Sequence, residues 1–442
     1  MTTPTNRDPE ALAAHARWRG KIRTMPKCPI NGIDDFALWY TPGVAAVSRA
    51  IAADPAQSWA LTGRADTVAI VSDGSRVLGL GDIGAEAAMP VMEGKALLFK
   101  HLGAVDAVPL CVDVHDEDAL VAFVHAIAPS FGAVNLEDIA APKCFRVLER
   151  LQASLPIPVW HDDQQGTAAA VLAGLWNALA VVGKRLEDVS IALVGIGAAN
   201  HAVWRLLCAV GADPGRIIAC DSVGILHIGR ADIAADKHRL REKWQVCTQT
   251  NRASRTGGVR EALIGADVCI AFSASGPDVI APDWIASMAP GAIVFACANP
   301  TPEIWPDAAR TAGAAIVATG RSDFPNQVNN ALIFPGLFRG VLDVGARAIT
   351  DKVAMAAAMA LADYAKAGGI SASRLLPALG DIGAAAAVAG QAGAQATGDP
   401  GRAGHITAAT SRRIAAARAA ATAALATEQA TEQAVEQAVG RR

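Results

Sequence analysis

Short runs of apolar, often β-branched residues alternate along this chain with longer stretches in which apolar positions recur at helical spacing. Residues 67–71 (TVAIV) and 107–112 (AVPLCV) read as short buried strands, and 89–101 reads as a helix between them. Strand, helix, strand at this spacing predicts parallel pairing. A second series starts after residue 158, with a helix over 167–182, a strand over 190–194 (SIALV), a helix over 200–210 and a strand over 216–220 (RIIAC). Further apolar runs at 266–271, 292–296 and 315–318 are spaced like successive parallel strands. The predicted fold class is α/β, with an N-terminal α/β domain over residues 1–160 and a doubly wound, Rossmann-type domain over 161–395. Residues 396–442 are rich in Ala, Glu and Gln, and 427–438 nearly repeats TEQA. Such a period favours helix but offers little apolar surface, so this stretch reads as a fraying helical tail.

Composition narrows the class of protein. Of 442 residues, 52% are hydrophobic and 18% charged, which excludes disorder across the chain. Alanine alone accounts for 97 residues, 33 of them after residue 350, so the apolar fraction overstates the core. A net charge of -3 argues against nucleic acid as a partner, because phosphate binding needs clustered Lys and Arg. Residues 1–23 carry charges throughout, unlike a secretory signal. The most apolar window, 167–183, falls short of the ~20 residues that span a bilayer, so it reads as a buried helix and no membrane partner is expected. Eight scattered cysteines without a CxxC pair fit small buried hydrophobes in a reducing cytoplasm.

Candidate chemistry gathers at the ends of the expected strands. Gly195-Ile196-Gly197-Ala198-Ala199-Asn200 follows a strand and opens a helix, the setting in which such glycines bind a dinucleotide. Gly195 suits the tight turn, and Gly197 lets the backbone approach a pyrophosphate at the helix start. Asn200 stands where a Gly or Ala would pack closest to the strand. Asp221, at the end of the next strand, is placed to meet the ribose hydroxyls of NAD. Arg230, Lys237, His238 and Arg239 form either a pocket for the 2′-phosphate of NADP or a solvated helix face.

Glu137-Asp138 and His161-Asp162-Asp163 end two other apolar runs, and adjacent carboxylates in an apolar setting need a cation or an Arg. Their oxygen-rich character suits Mg²⁺ or Mn²⁺ over Zn²⁺, with ordinary solvated turns as the alternative. Tyr40 sits in the turn YTPGVA, and Lys95 sits in PVMEGK before an apolar run. A lysine near a divalent cation would lose its proton more easily and become a usable base. Asn299, Asn329 and Asn330 follow late strands, where ligands bind in such sheets.

Seven ordered blocks together resemble the malic enzyme family, in particular its small bacterial members. They are YTPGVA (40–45), VLGLGDIG (77–84), PVMEGKALLFK (90–100), NLEDIAAPKCF (135–145), HDDQQGTA (161–168), ANPTPEI (298–304) and GRSDFPNQVNNALIFPG (320–336). The resemblance covers roughly residues 20–395. It implies oxidative decarboxylation of (S)-malate to pyruvate and CO₂ with NAD or NADP and a divalent metal. It further implies Tyr40 as general acid, Lys95 as general base, and Glu137, Asp138 and Asp163 as metal ligands. Arg76, Lys95, Asn299, Asn329 and Asn330 would bind substrate. Gly195, Gly197, Ala198, Asn200, Asp221 and Asn299 would meet the cofactor, and a homodimer or larger homo-oligomer is implied. Trp160 and Gln165 replace a usual Phe and His, and Phe324 a usual Tyr. The competing readings are a malolactic conversion of malate to lactate, an amino-acid dehydrogenase of similar layout, and a non-catalytic dinucleotide-binding module.

Overall fold

The computed structural model describes residues 7–439. Four short helices come first: α1 (Asp8–Trp18), α2 (Asp35–Trp39), α3 (Val44–Ala53) and α4 (Ser58–Leu61). None of them buries a residue. The chain then alternates β1 (Thr67–Ser72), α5 (Gly84–Gly103), β2 (Asp106–Cys111), α6 (Glu117–Ile127), β3 (Ala133–Leu136), α7 (Lys143–Ser154) and β4 (Val159–His161). These strands form one parallel sheet in the order β2-β1-β3-β4.

Strand periodicity sorts its side chains between two cores. Ala69, Val71, Val134 and Leu136 face α6 and α7, while Val68, Ile70 and Ala133 face Met92, Ala96 and Phe99 of α5. Both faces are covered, which is why the strands read as continuous apolar runs.

A turn of π-helix, Asp162–Gly166, leads from β4 into α8 (Thr167–Val182). Together they make a helical stretch of 21 residues whose 18-residue apolar window has mean hydropathy 1.4 and is 67% buried inside the fold. This places it as a core helix. The second sheet follows: β5 (Ile191–Val194), α9 (Ala198–Ala209), β6 (Ile217–Cys220), β7 (Val268–Ala271), β8 (Ile293–Ala296) and β9 (Ile316–Thr319). All pairs are parallel, in the order β6-β5-β7-β8-β9. The chain leaves β5 for one side and returns on the other, so a crevice opens at the carboxyl ends of β5 and β7. One face of this sheet shares its core with α8, α9 and the α5 face of the first sheet.

The alanine surplus has a packing role. The helix Ile382–Thr397 lies so close to Phe334–Asp343 that a Cβ on Gly336 or Gly340 would overlap the carbonyls of Ala385 and Ala389. The expected loose tail is packed over its first half. The helix Ala403–Val439 buries Ile406, Thr410 and Ile414, and Arg418 donates to the carbonyls of His101 (2.9 Å) and Gly380 (3.0 Å). The three buried residues, spaced four apart on one face of the helix and outside the TEQA repeat, make that contact.

Candidate active site

The parallel register of β3 and β4 pairs Leu136 with His161, which brings Glu137-Asp138 beside Asp162-Asp163. Asp138 holds a left-handed backbone (φ 54°), a strained conformation of the kind concentrated at functional sites. Its N–H donates to Asp163 Oδ2 (2.8 Å) and its carbonyl accepts from the N–H of Arg76 (3.0 Å). The π-turn folds Asp162 back over Gly166, where any Cβ would overlap its carboxylate. Trp160 Nε1 fixes that carboxylate by donating to Oδ1 (3.0 Å), which gives this unusual Trp a positional task. Gln165 similarly accepts from the N–H of His161 (3.1 Å).

Lys95 reaches this edge from α5. Its ammonium lies 2.8 Å from Glu137 Oε1, contacts Asp162 Oδ2, and sits 4.1 Å from the centre of the Phe334 ring. Asn135 Nδ2 donates to the other oxygen of Glu137 (2.8 Å). Asp162, which the sequence places in the acidic cluster without a role of its own, is therefore a site residue; side by side, Asp162 and Asp163 look alike until the π-turn separates them. The electrostatics also differ from expectation. Burial alone would lower the Lys95 pKa, but Asp162 and Glu137 outweigh it and raise the amine well above its ordinary value. Here the lysine is a cation paired with carboxylates and not a ready base. Burial, together with Asp163, pushes the Asp138 carboxyl up to about 8, and burial also drives Glu137 upward. His161 is fully buried and held neutral by burial; neither ring nitrogen is hydrogen-bonded, and Nδ1 lies 3.7 Å from Asp163 Oδ2.

These acids fit a divalent cation by chemistry. Oδ2 of Asp138 is buried without a partner, and beyond the effect of burial the charge of Asp163 raises the proton affinity of both Glu137 and Asp138. They are hard oxygen donors of the kind Mg²⁺ and Mn²⁺ take. Among the described residues no three acids or imidazoles are already drawn into a coordination shell, and Lys95 supplies the neutralising charge.

Beside the acids lies a cleft of about 90 Å³ lined by Asn299, Asn329, Asn330, Thr167, Phe272 and Cys297. The ends of β7, β8 and β9 meet the start of α8 there. Asn329 Oδ1 caps the following turn by accepting from the N–H of Ala331 (2.8 Å). Exposed Arg76 lies in a loop whose Gly79 packs directly on the carbonyl of Asn299. A larger cavity of about 690 Å³ lies between α7, α9 and the helix Arg241–Gln249 and contains none of these groups.

At the crevice of the second sheet, Gly195 (φ 81°) turns so tightly that a Cβ would overlap the carbonyl of Phe272. Gly197, by contrast, faces open space where α9 begins, with Ala198 as the first helical residue. Asn200 is fully buried and donates to the carbonyls of Val194 (3.1 Å), Gly195 (2.7 Å) and Ile270 (3.1 Å). Its side chain laces the helix to β5 and β7 and does not face the crevice. Asp221 accepts from Arg230 (3.0 and 3.2 Å) and from Lys243 (2.8 Å), the latter a partner the sequence reading did not name. Burial would raise this carboxyl, yet those bonds hold it below the usual range. Lys237, His238 and Arg239 are exposed. Glu303, also missed, is fully buried and accepts from the N–H groups of Ser273 (2.8 Å) and Ala298 (3.0 Å), joining the loops after β7 and β8. Its only sequence signal was its place in ANPTPEI.

Tyr40 is not brought to this site by its own chain. It is 69% exposed, and among the described residues its hydroxyl has no hydrogen-bond partner.

Two parallel sheets with an acidic, lysine-bearing edge facing a dinucleotide crevice define a nucleotide-linked oxidoreductase architecture. Residues 19–152 match the malic enzyme N-terminal domain and residues 164–396 the malic enzyme NAD-binding domain. The chain belongs to the malic enzyme family. It is 48% identical over 359 residues to an NAD-dependent malic enzyme of Geobacillus stearothermophilus, covering 81% of this chain and 73% of that one. It is 46% identical over 359 residues to an NADP-dependent malic enzyme of Rhizobium meliloti, covering 81% of this chain and 46% of that one. The crystal structure of Entamoeba histolytica malic enzyme superposes with a TM-score of 0.91 at 42% identity, over 95% of this chain and 88% of that one.

Proposed function

We propose that this chain oxidatively decarboxylates (S)-malate to pyruvate and CO₂ while reducing NAD⁺ or NADP⁺. The observation that carries this reading is Lys95, buried among Glu137 and Asp162 at a strand edge that adjoins the asparagine cleft. Residues 1–160 would supply Arg76, Lys95, Glu137 and Asp138, and residues 161–395 the dinucleotide site together with Asp163 and the three asparagines. Glu137, Asp138 and Asp163 would hold a divalent cation. When bound, that cation supplies Lewis-acid polarisation at the C2 oxygen, and the nicotinamide accepts hydride. Arg76, Asn299, Asn329 and Asn330 would orient the two substrate carboxylates. With Glu137 engaged in holding the cation, Lys95 would shed its proton to solvent and, once neutral, take the C2 hydroxyl proton as malate is oxidised. The resulting β-keto acid loses its distal carboxylate as CO₂. Lys95 protonates the enolate oxygen to give the enol. Tyr40 then protonates C3 while Lys95 takes back the enol proton, which finally returns to the tyrosine oxygen. The proton taken from malate thus restores the phenol, and pyruvate carries the proton that the phenol gave up. The free cysteines, five of them buried, suit a reducing cytoplasm.

The test is an assay of malate with NAD⁺ and with NADP⁺, after EDTA treatment and with Mn²⁺ restored. Pyruvate and reduced coenzyme should form in equal amounts and only with metal. Lactate without net coenzyme reduction would replace this reading with the malolactic one.

A further inference from the structure

We propose that Asp73 is a positioning residue for malate: clamped by Lys143, it holds the loop over residues 73–84 against the acidic edge and so fixes where Arg76 stands. The inference rests on the substrate role given to Arg76 above, and it begins one residue past β1. Asp73 is buried at the carboxyl end of that strand, on the same edge of the sheet as Glu137, Asp138 and Asp163. Its Oδ1 accepts from both the N–H (3.0 Å) and the hydroxyl (2.6 Å) of Ser75. The Ser75 oxygen in turn accepts from the N–H of Ala140 (2.9 Å), two residues past Asp138. The next residue, Arg76, donates its N–H to the carbonyl of Asp138 (3.0 Å). Two consecutive residues of one loop are thus tied to the segment that carries the metal acids, and Asp73 sets the first of these ties.

Lys143 engages the other oxygen. Its ammonium contacts Asp73 Oδ2 and donates to the carbonyl of His115 (3.2 Å). One side chain therefore joins the connections that follow β1, β2 and β3. Stability does not account for this pair. Lys143 opens α7, where a cation meets the positive end of the helix dipole. Asp73 is fully withdrawn from water and Lys143 largely so, a transfer whose cost a single ion pair seldom exceeds. What the pair supplies is geometry. With both oxygens of Asp73 engaged, Ser75 has one place to stand.

The loop carries that placement to the substrate groups. The N–H of Ile83 donates to the carbonyl of Gly74 (3.2 Å), which closes the loop at its base. A Cβ on Gly74 would overlap the carbonyl of Gly84, where α5 begins, and one on Gly79 would overlap the carbonyl of Asn299. One loop thus touches the helix of Lys95, the acidic edge and the asparagine cleft, and Arg76 projects from it. Malate is a dianion to be held against a cation, so a small drift of Arg76 relative to the acids loses a carboxylate contact and leaves the coenzyme site untouched.

The test is a set of steady-state measurements on the full chain with Mn²⁺ and saturating coenzyme. Asp73→Asn keeps the shape of the side chain and removes the charge that Lys143 binds, and Ser75→Ala removes the hydroxyl link. Each should raise the KM for malate about tenfold, or ~1.4 kcal/mol, with the KM for coenzyme unchanged, a split that general loss of folding does not produce. Arg76→Ala should raise the malate KM further. Adding Asp73→Asn to Arg76→Ala should then raise it no more, because a positioning residue acts only through the group it positions. If Asp73→Asn does not fold, Ser75→Ala completes the same cycle. Effects that multiply in the double variant would show that Asp73 acts apart from Arg76 and overturn the proposal. A wild-type malate KM in Asp73→Asn and Ser75→Ala, with Arg76→Ala impaired, overturns it and leaves the role of Arg76 standing. A wild-type malate KM in Arg76→Ala removes that role, and the proposal with it.

Discussion

Nζ of Lys95 lies 2.8 Å from Oε1 of Glu137 at the edge where two strands of the first sheet end, and Asp162 closes the other side of the ammonium. One carboxylate belongs to the expected metal set and the other does not. Asp162, tied to Trp160, keeps the lysine in place whatever charge Glu137 holds. Lys95→Ala should lower kcat by ~10²–10⁴-fold, the usual range for a lost general base. Asp162→Asn should lower it in the same direction by less, with the KM for coenzyme unchanged. Steady-state kinetics on the two variants would show this, and an Asp162→Asn enzyme with wild-type kcat would remove the positioning role.

The two glycines of the dinucleotide turn should separate folding from binding. Gly195→Ala forces a side chain into the carbonyl of Phe272 and a left-handed φ, so it should lower Tm by several degrees, equivalent to ~1 kcal/mol or more. Gly197→Ala meets nothing within 4 Å, so Tm should hold while the KM for coenzyme rises roughly tenfold or more. Thermal melts beside coenzyme titrations decide the matter. Equal loss of Tm in both variants would contradict this division.

Asp221 cannot act as a free acceptor for a ribose hydroxyl while Arg230 and Lys243 hold it. Arg230→Ala should release the carboxylate, which repels a 2′-phosphate. The ratio of kcat/KM for NADP⁺ to that for NAD⁺ should then fall about tenfold, or ~1.4 kcal/mol. An unchanged ratio would mean that this ion pair has no part in coenzyme choice.

His201 on α9 offers a test by pH. Burial, with help from Arg205 and Arg241, pushes its pKa down to about 4, against ~6.5 in an unfolded chain. Between those values the unfolded state binds a proton that the folded state refuses, so stability falls as pH drops through this window. His201→Phe should remove about 2 kcal/mol of the stability lost between pH 7 and pH 5. Urea midpoints at the two pH values measure it, and an acid dependence matching wild type would refute the assignment.

Much of this architecture is written locally. The strands at 67–71 and 190–194 are legible because strands covered on both faces are apolar throughout, and Gly195 is legible because a strand precedes it and a helix follows. What escaped depends on distant partners. Asn200 looks like a poor third glycine until three carbonyls from two strands converge on its amide. Lys243 is 22 residues from the carboxylate it neutralises. The residues around Tyr40 look like ordinary amphipathic helices, and only their position off the sheet leaves them uncovered.

The core that unites α8, α9 and the α5 face of the first sheet runs without interruption from Val68 to Ala392. The two sheets therefore are not beads on a string. A chain cut near residue 160 would strip Met92, Phe99 and Trp160 of the helices that cover them, and neither piece would keep a dry interior of its own. Such a molecule is expected to melt in one transition and to resist being split into a substrate half and a nucleotide half.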